Sequence, residues 1–189
     1  MKEYNQIPET VSSAVILNTS YDDALGSIKG HVKLELLNSS GEVIWSDSGN
    51  AITYTGRHRM ARSICGDTGI SATEKVINTL KCAGGAVTGG DHMNPTAVAI
   101  TDTGMFEPSA GNIYSTAISG TAFSTLSATV APIVTFTHTL TAASVNRIIN
   151  EAGLFFGTTG PIFSHYSFAS VDMRNTTSNS LVVTWALSF

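Results

Sequence analysis

The sequence predicts a mainly β protein: an antiparallel β-sandwich or jelly-roll-like domain with one short helix and an N-terminal arm. Three observations lead to this prediction. The last nine residues place a large apolar side chain at every second position, which is the pattern of a half-buried strand. Other short apolar runs are separated by turn residues, as in sandwiches and barrels and unlike a parallel α/β sheet. The 189 residues are 42% hydrophobic, enough for one sizeable core.

The position of the first clear strand predicts the domain organisation. Residues 1–28 mix polar residues with short apolar stretches and are expected to form an arm that lies on a neighbouring subunit. Residues 29–189 are expected to form a single sandwich domain, with a Gly/Ser/Thr-rich insertion around 84–131. The N-terminal region lacks the apolar core of a signal peptide, and no stretch approaches the length of a membrane span. We therefore expect a soluble protein made in the cytoplasm.

The first elements are a hairpin and a helix. His31–Leu37 alternates, Asn38-Ser39-Ser40-Gly41 supplies turn residues, and Glu42–Ser46 follows as the second strand. The β pattern then breaks at Thr53–Gly66, which predicts a short helix. In this helix we expect an N-cap at Thr55, a C-terminal stop at Gly66, and a buried face with the two i,i+4 neighbours Met60 and Ile64.

The second half of the chain contains the clearest strands. Val76–Ala83 is compatible with either a strand or a helix, because its periodicity decides for neither, and residues 96–131 have only weak periodicity. Three strands are predicted next, at Ile133–Leu140, Ile148–Phe156 and Ile162–Phe168. The last predicted strand, 181–189, is expected to be fixed in a sheet. Its large residues should share one buried face: Leu181, Val183, Trp185, Leu187 and Phe189.

Charge and composition narrow the classes of partner. Charged residues make up 13% of the chain, about half the usual ~25%. Either partner subunits cover much of the surface, or the surface is coated with serine, threonine and glycine. The net charge of −4 argues against nucleic-acid binding. The basic cluster at 57–62 (Arg57, His58, Arg59, Arg62) is interpreted as a solvated or intersubunit helix face.

No enzyme or metal signature is found. The glycine-rich run 83–91 lacks the Gly-Lys-Ser/Thr ending of a phosphate loop, and His92 beside Asp91 lacks further ligands at metal-site spacing. His138 and His165 are interpreted as satisfied, partly buried histidines. Glu151, within an apolar run, is interpreted as a turn-fixing acceptor for backbone N–H groups rather than as an acid or base. Two cysteines are expected as free thiols, Cys65 and Cys82. We expect no catalytic residue, cofactor or metal.

Two stretches carry a resemblance to a known group of proteins. Ile149-Asn150-Glu151-Ala152-Gly153-Leu154-Phe155 resembles the (V/I)NE(I/A)GLF element of tailed-bacteriophage virion proteins, and 181–189 resembles their closing LxVxWxLxF strand. Upstream, Val43–Gly49, Asn50-Ala51-Ile52 and Thr55-Gly56-Arg57 are similar to that group's opening hairpin and helix start. The middle departs from the group's pattern, since residues 91–131 are expanded.

This resemblance implies a β-sandwich structural component of a virion that acts by self-association and docking. A capsid decoration or cement protein is the favoured form, and a tail, baseplate or fibre-attachment protein is the alternative. The implied partners are copies of the chain and other virion proteins (the major capsid protein, or tail and fibre proteins), with no nucleic acid or membrane. The structural or interface candidates are Asn150, Glu151, Gly153, Leu154, Phe155, Trp185 and Phe189.

Two hypotheses from other classes remain open at this point. A carbohydrate-binding module would stack sugar rings on exposed aromatic side chains. The candidates for that role are Trp45, Tyr54, Tyr114 and Tyr166. A small hydrolase would use Glu151 as its acid or base.

Overall fold

The structure, a computed structural model, describes residues 28–49, 51–85, 95–124, 132–174 and 178–189. In these residues two five-stranded antiparallel sheets enclose one apolar core. Strands make up 51% and helices 15%, which confirms the predicted mainly β sandwich. The predicted arm lies outside the described residues except for its last residue, Ile28, which packs against the core.

Ten strands and two helices are described. The strands are β1 (Lys29–Leu37), β2 (Val43–Gly49), β3 (Ala51–Ile52), β4 (Ile77–Ala83), β5 (Tyr114–Ala117), β6 (Gly120–Phe123), β7 (Ile133–Thr141), β8 (Arg147–Phe156), β9 (Ile162–Met173) and β10 (Ser180–Ser188). The helices are α1 (Tyr54–Ile64) and α2 (Ala142–Val145), with 3₁₀ turns at Ala72–Glu74 and Ala110–Asn112. Sheet I has the order β2-β1-β10-β7-β6, and sheet II has the order β3-β9-β8-β4-β5.

The predicted C-terminal strand is the central strand of sheet I. β10 lies between β1 and β7, and Trp185 is opposite Val32 on one side and Phe136 on the other. Its inward residues, 181, 183, 185 and 187, are all at most 2% exposed. Phe189 is an exception to the prediction, because the strand ends at Ser188 and the Phe189 side chain is 41% exposed. Only the backbone of Phe189 is tied down, through its N–H group and the carbonyl of Pro132 at 3.1 Å.

The predicted hairpin is formed by β1 and β2. The Asn38 side chain organises its turn, since Oδ1 accepts hydrogen bonds from the N–H groups of Ser40 (2.9 Å) and Glu42 (3.0 Å). Gly41 takes a φ of 80° there, which glycine adopts without steric cost. The second strand starts at Val43 and continues to Gly49, beyond the predicted end.

The predicted helix is present, but its N-cap and its buried face differ from the prediction. Thr53, not Thr55, is the N-cap: its Oγ1 accepts from the Gly56 N–H group at 2.9 Å and donates to the carbonyl of Ile162 in β9 at 3.0 Å. Tertiary anchoring to β9 therefore selects the cap. Ile64, at the last helical position, is 76% exposed, whereas Met60 packs against the core.

Tertiary pairing resolves the two regions that the sequence left undecided. The ambiguous segment 76–83 is a strand, because β4 is held between β8 and β5. The Gly/Ser/Thr-rich stretch 84–131, expected as an insertion, instead contributes an edge strand to each sheet, β5 and β6. Between β4 and β5, the segment 95–107 lies against the face of sheet II that points away from the core.

Candidate functional site

Strand β8 carries the Asn-Glu-Ala-Gly-Leu-Phe element and is buried along both of its faces. Ala152, Leu154 and Phe156 belong to the core between the sheets. The alternate residues Glu151, Gly153 and Phe155 lie on the outer face of sheet II, because successive residues of a strand face opposite sides of the sheet. A buried outer face needs a cover, and residues 95–107 supply it.

Glu151 of β8 holds the covering segment in place. Its carboxylate is fully buried and accepts hydrogen bonds from three backbone N–H groups. Gly85 and Glu107 donate to Oε1 at 3.2 and 2.9 Å, and Phe106 donates to Oε2 at 2.8 Å. Charge-assisted bonds of this kind are about twice as strong as neutral ones. Glu151 therefore has the role predicted for it, an acceptor that fixes backbone, and it fixes two separate segments at once.

His165 extends the array and is fully buried. Its Nε2 lies 3.0 Å from Oε2 of Glu151, and its Nδ1 lies 2.9 Å from Oδ2 of Asp102. Asp102 Oδ2 also accepts from the Ala99 N–H group at 3.0 Å. The ring of Phe106 packs against the imidazole in a tilted arrangement, with 4.7 Å between the ring centroids and 51° between the ring planes. We call Asp102, His165 and Glu151 the carboxylate–histidine array.

The hydrogen bonds of the array involve both nitrogens of the His165 ring, since each of them faces a carboxylate oxygen. An ionised carboxylate can only accept hydrogen bonds. An N–H group of the imidazole therefore donates to the carboxylate beside it.

The array acts as a structural brace rather than as a site open to substrate. Glu151 and His165 have no exposed surface, Asp102 is 15% exposed, and both imidazole nitrogens are engaged. A general acid or base must reach a substrate proton within hydrogen-bond distance. The hydrolase hypothesis for Glu151 thus has no geometric support. Sequence reasoning missed Asp102, because 63 positions separate it from His165.

The other residues singled out in this element have packing roles. Asn150 is fully buried, and Leu154 is 1% exposed in the core. Phe155 is 4% exposed on the outer face, where the ammonium of Lys81 lies 4.2 Å from its ring centroid, a cation–π contact. Desolvation lowers the pKa of Lys81 in this position. Trp185 lies in the other sheet, so the structure does not bring all seven candidates together.

Gly153 allows the cover to approach β8 closely. A Cβ atom there would lie 2.9 Å from both Ile162 Cδ1 and Phe155 Cε2, and 3.2 Å from Met105 Sδ. We expect Gly153→Ala to lower the free energy of unfolding by about 1–3 kcal/mol through overpacking, measured by denaturant unfolding. Gly104→Ala is the matched control, since nothing lies within 4 Å of its Cβ position. Equal effects of the two substitutions would contradict this account.

Two cysteines should differ sharply in reactivity. Burial raises the pKa of the Cys82 thiol, and the negative charge of Glu151 raises it further, whereas Cys65 is exposed. Because the thiolate is the reactive form, we expect the folded chain to titrate one thiol with a chromogenic disulfide reagent and the unfolded chain to titrate two. Two rapidly reacting thiols in the folded chain would contradict the burial of Cys82.

The second notable feature is an apolar groove between α1, the segment 75–78 and strands β6 and β7. Its volume is about 470 Å³. Phe136 and Phe156 form its floor, and its rim carries three strongly exposed apolar residues: Ile64 (76% exposed), Val76 (55%) and Phe123 (76%). Exposed apolar residues that line one concave surface typically mark an interaction site. Sequence patterns missed the groove, because its residues come from five separate segments of the chain.

The four aromatic residues considered for sugar stacking are mostly used in packing. Trp45 and Tyr166 contact Phe168, at 6.0 and 6.1 Å between ring centroids, and Tyr114 packs against the core. Burial and a hydrogen bond with Asp47 raise the pKa of Tyr166. Tyr54 alone of the four is strongly exposed, at 58%. These positions do not form a platform of exposed rings.

The remaining expectations concern the basic cluster and the histidines. In the helix, Arg59 pairs with Glu74 at 3.6 Å and Arg62 pairs with Asp67, so part of the cluster's charge is neutralised locally. His138 accepts a hydrogen bond from the Ser119 N–H group at 3.2 Å, and desolvation lowers its pKa.

Asp91 and His92 lie outside the described residues. Within the described ranges, no three His, Cys, Asp or Glu side chains are grouped to hold a metal ion. No helix in that part of the chain has both the length and the apolar character needed to cross a membrane.

Comparison with protein-family models, curated proteins and solved structures gave no match.

Proposed function

We propose that this chain is a non-enzymatic structural component of a tailed-bacteriophage virion that works by self-association and docking. The apolar groove is the observation that carries the proposal. Ile64, Val76 and Phe123 expose apolar surface on one concavity of a chain in which only 13% of residues are charged. Burying such a surface against a partner is favourable by about 25 cal/mol per Å² of apolar area. Permanent assemblies use comparatively apolar interfaces of this type.

The braced outer face of sheet II supports the same proposal. The carboxylate–histidine array and its N–H donors form hydrogen bonds with one another inside the domain. Fully satisfied buried polar networks rigidify a structure, and a rigid scaffold suits a part of a particle. No described contact of Glu151 or His165 leaves a donor or acceptor facing a substrate cavity.

Capsid decoration is the favoured position on the particle, and a tail, baseplate or fibre-attachment role is the second candidate. One sandwich domain preceded by residues 1–27, without fibre repeats, fits a cement protein that bridges capsomers. The resemblance of residues 149–155 to tail-associated proteins favours the second candidate. Asn150, Glu151 and Leu154 are buried, so that element stabilises the interior of the domain and does not itself form a partner surface. The compact organisation of the chain therefore favours capsid decoration over the tail role.

Copy number per particle tests the proposal. Purified virions of the phage that encodes this chain are analysed by quantitative mass spectrometry, with the major capsid protein as the internal standard. Hundreds of copies are expected for a decoration protein. Between a few and a few dozen copies, recovered with isolated tails, would replace decoration by the tail role. Absence from the virion would overturn the proposal.

A further inference from the structure

The apolar groove lies at the same end of sheet I as the start of β1. Lys29 in β1 is opposite Ser188 in β10, and Ser188 is opposite Ile133 in β7. Val134 in turn is opposite Phe123, which lies on the rim of the groove. Strands in a sheet are about 4.8 Å apart, so the chain leaves β1 about 10–15 Å from the groove.

The residue at this exit points to the groove side of the sheet. Ile28 and Val134 both pack against the core, and Val134 also lines the groove. The polypeptide that precedes Ile28 therefore begins on the inward face of sheet I, at the end where the groove opens.

The preceding 27 residues contain a segment with matching chemistry. Residues 10–21 carry no charged side chain, and Val15-Ile16-Leu17 is the most apolar run before Ile28. Eleven residues lead from Leu17 to Ile28. At ~3.3 Å per residue they span up to about 36 Å when extended.

For eleven residues the random-coil root-mean-square length is about 17–20 Å, and the extended length is about 36 Å. The segment can therefore reach the groove of its own chain or the groove of a neighbouring copy within this range. The self-association of the proposed function favours the neighbouring copy.

We propose that the segment Val15–Leu17 of one copy docks into the apolar groove of a neighbouring copy. Its three apolar side chains cover Ile64, Val76 and Phe123 and seat against the floor at Phe136. The exchange of an identical element between copies gives self-association without a second protein. This inference specifies the partner surface of the proposed function and rests on it for its biological setting, whereas the contact itself is a property of the purified chain.

Disulfide trapping between separately labelled chains tests the contact. In a Cys65→Ser background, a chain with Ile16→Cys is mixed with a chain with Phe123→Cys and oxidised. We expect a disulfide-linked heterodimer in roughly tenfold excess over the control mixture. The control partner carries Ile44→Cys, because Ile44 is also an exposed apolar residue (53%, against 76% for Phe123) and lies on β2, at the opposite edge of sheet I from β6.

The yields of the trapping experiment distinguish the possible sites of docking. Equal heterodimer yields with the two partners would overturn the proposal. An Ile16→Cys, Phe123→Cys double variant that closes only within one chain would overturn the assignment to a neighbouring copy. Ile16→Asp provides a second readout: it should abolish concentration-dependent association in sedimentation, whereas Ile44→Asp should leave association unchanged. Selective trapping by a chain that is absent from virions would remove the virion role and keep this contact.

Discussion

Replacement of Trp185 by alanine is expected to lower the free energy of unfolding by roughly 3–5 kcal/mol. The side chain has no exposed surface, and it occupies the central strand of sheet I, opposite Val32 and Phe136. Removing the indole leaves a cavity that the surrounding strands cannot collapse into, because both neighbouring strands are held by ladders on β10. Domains of this size are stable by only about 5–15 kcal/mol. The loss is measured by denaturant unfolding followed by circular dichroism.

A control on the same strand separates core packing from strand propensity. Thr184 is the adjacent residue, and its side chain lies on the opposite, half-buried face. Thr184→Ala should cost less than about 1 kcal/mol. Deletion of residues 185–189 removes half of β10 and should abolish soluble expression. Retention of the native fold by the truncated chain would refute the central position of β10.

The second large effect is expected from Glu151→Ala, with a loss of roughly 3–5 kcal/mol. Removal of the carboxylate leaves His165 without its Nε2 partner and leaves the N–H groups of Gly85, Phe106 and Glu107 without an acceptor. Glu151→Gln keeps one acceptor oxygen and should cost less, roughly 1–3 kcal/mol.

Amide hydrogen exchange distinguishes this brace from general core damage. In Glu151→Ala, the three donor amides should lose protection far more than amides in β10. Glu107→Gln is the matched control, because its carboxylate contacts Ser109 and Asn112 in the same segment and does not enter the array. A uniform loss of protection, equal in β10 and residues 106–107, would show that Glu151 has no specific role in holding the cover.

The elements that were predicted well have local signals. The alternation in 181–187 specifies both a strand and its buried face, because the side-chain period of two matches the pleat. The break in the β pattern at 53–66 predicts a helix. Gly66, which was expected to end it, takes a φ of 71° just past the helix end. The prediction of the helix N-cap was wrong because the cap depends on a contact with a distant strand. Thr53 caps the helix in place of Thr55, and its hydroxyl also donates a hydrogen bond to the carbonyl of Ile162.

The sequence by itself determined the mainly β class, the position of most strands and the interpretation of Glu151 as a buried acceptor. Those inferences need only periodicity and the cost of burying an unpaired charge. Tertiary structure alone decided that 77–83 is a strand, that Asp102 completes the array with His165, and that five separate segments form an apolar groove. The physical reason is distance along the chain: contacts between residues tens of positions apart depend on strand order and register, which local patterns do not specify.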